Sequence, residues 1–165
     1  MTFAIQQAAA PVFTRALNNL SAMIDKTLAA GVSEATLLEA RLAPDMHPLP
    51  RQIQMASDSA KGAVARLAGV EPPAMPDTET TIAELKARIA ATIAYVNSID
   101  AAALDGAEDR EVVLKFPGAE MKFTGADFLT GFALPNFFFH ITIAYALLRA
   151  NGAPIGKMDF LGGAR

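Results

Sequence analysis

The sequence predicts a mostly α-helical protein with one small β-hairpin, and three observations carry that prediction. Apolar residues recur at steps of three and four along four long stretches, the period of a helix that buries one face. Between residues 111 and 123 the period changes to two, which reads as strand. Apolar residues make up 52 % of the chain and charged residues only 19 %, which argues against disorder. A chain of 165 residues is expected to form one domain, 1–165, able to bury a core without disulfides or metals as staples.

The first helix is expected over 3–30, with Phe13, Leu17, Leu20, Ile24 and Leu28 on one face. Pro11 marks either a kink or the true first turn, and Gly31 closes the helix. Ser33 is the expected cap of a short helix over 34–40. The connector RLAPDMHPLPRQ is stiffened by Pro44, Pro48 and Pro50. The second long helix is expected over 49–69, with Pro50 in its first turn, Ile53, Val64 and Leu67 on its apolar stripe, and Gly69 at its end. EPPAMPD crosses over to a third helix over 79–99, capped by Thr78 or a neighbour within DTETT. Ile82, Leu85, Ile89, Ile93, Val96 and Ile99 form the cleanest stripe of the chain. After a polar loop over 100–109, REVVLKF and MKFTG read as two strands around a turn at PGAE. A lone hairpin is marginal in water, so this one must lean on the helices. The last helix is expected over 125–150, started by Thr124 or Asp127, bent at Pro135 and stopped at Gly152. Phe160 and Leu161 are expected to clip the tail back onto the helices.

Composition narrows the function. The net charge is −3 and no Lys/Arg block exists, so a nucleic-acid groove is not expected. The chain has no Cys, which excludes thiolate metal sites and Cys nucleophiles. Residues 128–148 carry no charge and are long enough to span a bilayer, but the stretch is read as the central helix of a bundle rather than a membrane span. The opening MTFAIQQAAAPVF lacks a basic leader, so a cytoplasmic protein is expected. Phosphate-loop, dinucleotide and nucleophile-elbow motifs are absent.

The candidate functional residues begin with His140. It reads either as a metal ligand or general base, or as a buried imidazole bonded to Asp58 or a backbone carbonyl. Asn136, one turn earlier, either completes a polar pocket or satisfies carbonyls freed by Pro135. Gln54, Asp58 and Lys61 form either a polar strip facing a cleft or a solvated face. His47 is a surface residue of the stiff loop, or the third member of a weak divalent-metal site with His140 and Asp58. Tyr145 is an acid or a core phenol. Phe137, Phe138 and Phe139 cover most of the helix circumference. They are therefore expected to line a homodimer interface or a pocket for a small apolar ligand.

Three stretches, LAPDMHPLPRQIQMASDSAKGAVARLAG, the D-x-E-x-T of DTETTIAEL, and LPNFFFHITIAYALLRANG with IGKMDFLG, resemble the DUF1993 family over nearly the whole chain. That family is similar to the DinB/YfiT group of metal-dependent enzymes. The resemblance implies a left-handed up-down-down-up four-helix bundle, a dimer, and a divalent metal such as zinc or nickel, or none. It also implies a metal site of three His, one on the second long helix and an H-x-x-x-H pair on the last. Here positions 136 and 144 flanking His140 are Asn and Ala, and the second helix offers Gln54 and Asp58. The expectation is an uncharacterised DinB-like bundle with a degenerate metal site formed by His140, Asp58 and His47, with Gln54, Asn136 and Tyr145 beside it. The alternative is a non-enzymatic protein that binds a small apolar ligand or works through its dimer.

Overall fold

The computed structural model describes residues 4–163, and within them the protein is mostly helical with one two-stranded sheet. The first helical stretch is broken. α1 (Ile5–Ala8) ends at Ala9, whose ψ of −97° leaves the helix, and α2 (Ala10–Ala29) begins with Pro11 in its first turn. A proline within a helix removes a hydrogen bond and collides with the carbonyl four residues back. Breaking the chain at Ala9 avoids both, so Pro11 marks the true first turn. The expected start at residue 3 lies outside the described residues.

α3 (Glu34–Glu39) is capped by Ser33, whose hydroxyl accepts from the Thr36 amide. α4 (Leu49–Ala68) ends at Gly69, which takes φ +72°. α5 (Ile82–Ser98) starts later than the expected residue 79, at the first residue of its apolar stripe. Of the candidates within DTETT its cap is Thr81, because Thr81 and Glu84 satisfy each other's backbone amides reciprocally. β1 (Glu111–Phe116) and β2 (Ala119–Thr124) pair antiparallel, Glu111 opposite Thr124 and Phe116 opposite Ala119.

The last helical run is a short α6 (Gly125–Asp127), a π-helical turn over Phe128–Ala133, and α7 (Leu134–Ala150). The π turn is how the helix accommodates Pro135. The Leu134 amide reaches back five residues to the Leu129 carbonyl, and Pro135 then falls in the first turn of α7. There its missing N–H costs little. α8 (Lys157–Leu161) docks the tail on α2: the Asn19 amide donates to the Phe160 carbonyl, and the Phe160 ring stands edge-on to Tyr145 at 5.7 Å. Leu161, expected to share this clip, is exposed instead.

α4 packs against α5 and α7, and α2 against α5 and α7, which closes a ring of four long helices. Their directions follow from paired residues. α2 meets α5 through Thr14–Asn97 at one end and Asp25–Lys86 at the other, so the two are antiparallel. α4 meets α7 through Gln52–His140 and Ser59–Asn136, again antiparallel. Phe13 of α2 meets Phe137 of α7 edge-on at 4.9 Å in the centre of the core. The hairpin leans on this ring through buried Val112 and Leu114, and through Phe123, which packs with Phe128 and Phe132. The run Gly125–Ala150 is apolar and long enough to cross a bilayer by length and composition. In this fold its inner face, including Phe137, Ile141, Ala144 and Leu148, is buried against α2 and α4.

Candidate functional site

α4 and α7 place their polar residues at matching heights along their contact. His140, only 4 % exposed, faces Gln52 of α4 rather than Asp58. Gln52 is itself anchored: its amide nitrogen donates to the His47 carbonyl at 3.1 Å. Its oxygen is therefore the end turned to His140, and it accepts from Nδ1–H across 2.8 Å. This relay assigns the proton to Nδ1 and leaves the lone pair on Nε2. Burial holds the imidazole below its ordinary pKa, and the nearby charges of His47 and Arg51 push it the same way. His140 is thus a neutral imidazole.

These residues do not fit a three-His metal centre. His47 is exposed, and its backbone carbonyl, not its ring, bonds to Gln52. His140 keeps only Nε2 for a ligand, since Nδ1 is bonded to the Gln52 amide oxygen. Among the described residues no group of three or more His, Cys, Asp or Glu could hold a metal ion.

Asp58 belongs to a different assembly. Its carboxylate takes Arg88 of α5 at 2.9 Å and Lys61 at 3.1 Å. The Arg88 side chain is 2 % exposed and also reaches Glu79 at 2.9 Å and Asp77 at 3.0 Å. Gln54 donates to Glu79, and Arg51 pairs with Asp77. Burial would raise the Glu79 carboxyl, but the Arg88 hydrogen bond and further bonds bring it below the ordinary range. The strip of Gln54, Asp58 and Lys61 is therefore not turned to His140, and only Asp58 of the three remains partly solvated. It is a charge network that fastens the proline-rich crossover onto α4 and α5. The sequence reading missed Arg88, although a lone Arg beside the Leu85–Ile89 stripe was a usable signal. Gln52 was missed as well; it lies beside Leu49, Ile53 and Ala56, at a height where α4 is apolar.

Asn136 completes a polar floor. It donates to Ser59 Oγ at 2.7 Å, and Ser59 donates onward to the Met55 carbonyl at 2.7 Å. Above this pair lies a cavity of about 190 Å³ between α4, the end of β1 and the π turn. Its walls are Ala63, Ala133, Leu114, Phe116, Phe128 and Phe132, and Arg66 and Lys115 border it. Phe128 and Phe132 stack at 6.2 Å with 19° between their planes. Phe116 is 45 % exposed, an apolar wall left open to solvent. Tyr145 does not line this cavity, and its ring meets Phe160 edge-on. Of the aromatic triplet, Phe137 is buried, Phe138 half-buried and Phe139 exposed.

The arrangement is that of a DinB-like helical protein. The chain is similar to a DinB family member from Shewanella denitrificans known from its crystal structure, with 38 % identity, a TM-score of 0.89, and coverage of 97 % of this chain and 93 % of that one. The chain belongs to the DUF1993 family, a domain of unknown function, which matches residues 5–161. No curated protein matches it.

Proposed function

We propose that this protein is an up-down-down-up four-helix bundle with a degenerate metal site that binds a small apolar ligand. The antiparallel pairings of α2 with α5 and of α4 with α7 support the bundle. The observation that carries the ligand reading is the cavity of about 190 Å³ walled by Phe116, Phe128 and Phe132. An apolar cavity of about 150 Å³ is enough to take up benzene. The Gln52–His140 pair supports the degenerate site, because the partner that α4 offers His140 is an amide rather than an imidazole or a carboxylate. The test is thermal unfolding with and without benzene. The melting temperature of the wild type rises with benzene, because a ligand that binds only the folded state stabilises it. Ala133→Leu, which fills the cavity, loses the rise. An unchanged melting temperature in the wild type contradicts the reading.

A homodimer accompanies this function. Phe139 is 56 % exposed on α7, a large apolar side chain without a covering element. Phe139→Ser is expected to convert a dimer into a monomer in light scattering. A wild type that is monomeric at high concentration removes the dimer.

A further inference from the structure

We propose that the occupant of the cavity is a small carboxylate with an apolar tail, about one aromatic ring or a short alkyl chain, whose head group is taken by Arg66. This rests on the cavity being a ligand site and adds the ligand's charge. The lining is one-sided. Arg66 and Lys115 are its only charged members and no carboxylate borders it, although the chain as a whole carries a net charge of −3. Among the described residues neither cation forms an ion pair. Lys115 stands opposite Glu120 in the hairpin register, yet the Glu120 carboxylate turns to Lys122 at 3.7 Å. Arg66 is thus available to an incoming anion, while Lys115 stands on the strand face opposite Leu114 and Phe116.

Gly62 is the second observation. It is buried in the middle of α4 with ordinary helical backbone, where Gly costs about 1 kcal/mol relative to Ala. Its use is spatial. A Cβ at position 62 would collide with Nη1 of Arg66 and come within 3.6 Å of its Cζ. The missing side chain lets the guanidinium fold back along α4 over position 62, while Arg66 still borders the cavity. A planar guanidinium suits a carboxylate, which it can bind through two parallel N–H donors. The floor adds to this. Asn136 uses one amide N–H on Ser59 and keeps a second for a ligand oxygen. The size argument limits the tail, since about 190 Å³ holds little more than one ring.

The experiment is calorimetric titration of the full chain at low salt. The probes are benzoate and hexanoate, their neutral counterparts benzamide and 1-hexanol, and acetate. Wild type is expected to bind the two carboxylates at least about tenfold more tightly than the neutral probes, the effect of one charge-assisted hydrogen bond. Arg66→Gln and Gly62→Ala are each expected to remove most of that preference. Gly62→Ala should fold, because the group it displaces is the mobile end of a side chain. Equal affinity for charged and neutral probes overturns the proposal and leaves the cavity as an apolar site. Acetate binding as tightly as benzoate overturns the apolar tail. A carboxylate preference untouched by Arg66→Gln and Gly62→Ala overturns the assignment of the head group. No binding of any probe at millimolar concentration overturns both this proposal and the ligand reading beneath it.

Discussion

His140 is decided by what its two nitrogens meet. Nδ1 gives its proton to Gln52, and the Gln52 orientation is fixed in turn by the His47 carbonyl. The sequence singled out His140 because it is a lone imidazole in an uncharged helix. It could not name the partner, because periodicity places a residue on a face without fixing the height at which two helices meet. Gln52 and Asp58 lie six positions apart on α4, and the slide of α7 along α4 chose between them. The lowered pKa of His140 has a stability consequence. Above the ordinary value of 6.5 both folded and unfolded chains carry the neutral ring, and no pH effect arises. Below it the unfolded chain takes up a proton that the folded chain resists, so stability falls as pH drops from 6.5 to the lowered folded value. NMR titration of the ring is expected to give a pKa below that of an unstructured histidine. Denaturation of His140→Gln is expected to lose this part of the pH dependence. A ring that titrates at or above 6.5 contradicts the burial account.

At the scale of elements, burying an apolar stripe made most of the chain legible. The stripes of α2, α4 and α5 and the alternation of β1 are visible in the residues themselves. The boundaries were less so. Ala9 breaks the first helix for the sake of Pro11, Thr81 takes the cap because Glu84 completes a reciprocal pair, and Pro135 is met by a π turn. Each outcome is a competition between near-equal local solutions that tertiary contacts settle. Two elements rest on single residues. Arg88 joins Asp58, Asp77 and Glu79, tying the crossover to two helices. Arg88→Met is expected to cost about 2–3 kcal/mol in urea denaturation, less than a fully buried pair because Asp58 and Asp77 are partly solvated. A loss within error would make the network ornamental. Gly125 lies against the backbone of the loop before β1, where a Cβ would overlap the Ala107 carbonyl oxygen. Backbone cannot swing aside as a side chain can. Gly125→Ala should therefore cost about 2 kcal/mol or more, the scale of overpacking. Gly62→Ala, which meets only the end of Arg66, should leave stability unchanged or slightly raised. Equal losses for the two would undo this reading of the glycines.

For the whole molecule, four long helices close a ring and the hairpin covers one side of it. The cavity forms where that cover is incomplete, between α4, β1 and the π turn. No single segment encodes it. Its residues come from positions 59 to 136, and only the assembled fold brings Ser59, Leu114 and Phe132 together. The phenylalanines around His140 pointed in the sequence to an apolar pocket, yet the structure builds its walls from Phe116, Phe128 and Phe132. The His140 end and the cavity thus lie on the same α4–α7 seam but are built from different residues. A shift map of backbone amides and methyls in the full chain during benzene addition separates them most directly. The account predicts saturable shifts centred on Ala63, Leu114, Phe128, Phe132 and Ala133. Shifts centred instead on Gln52 and His140, or no saturable shifts at all, would contradict it.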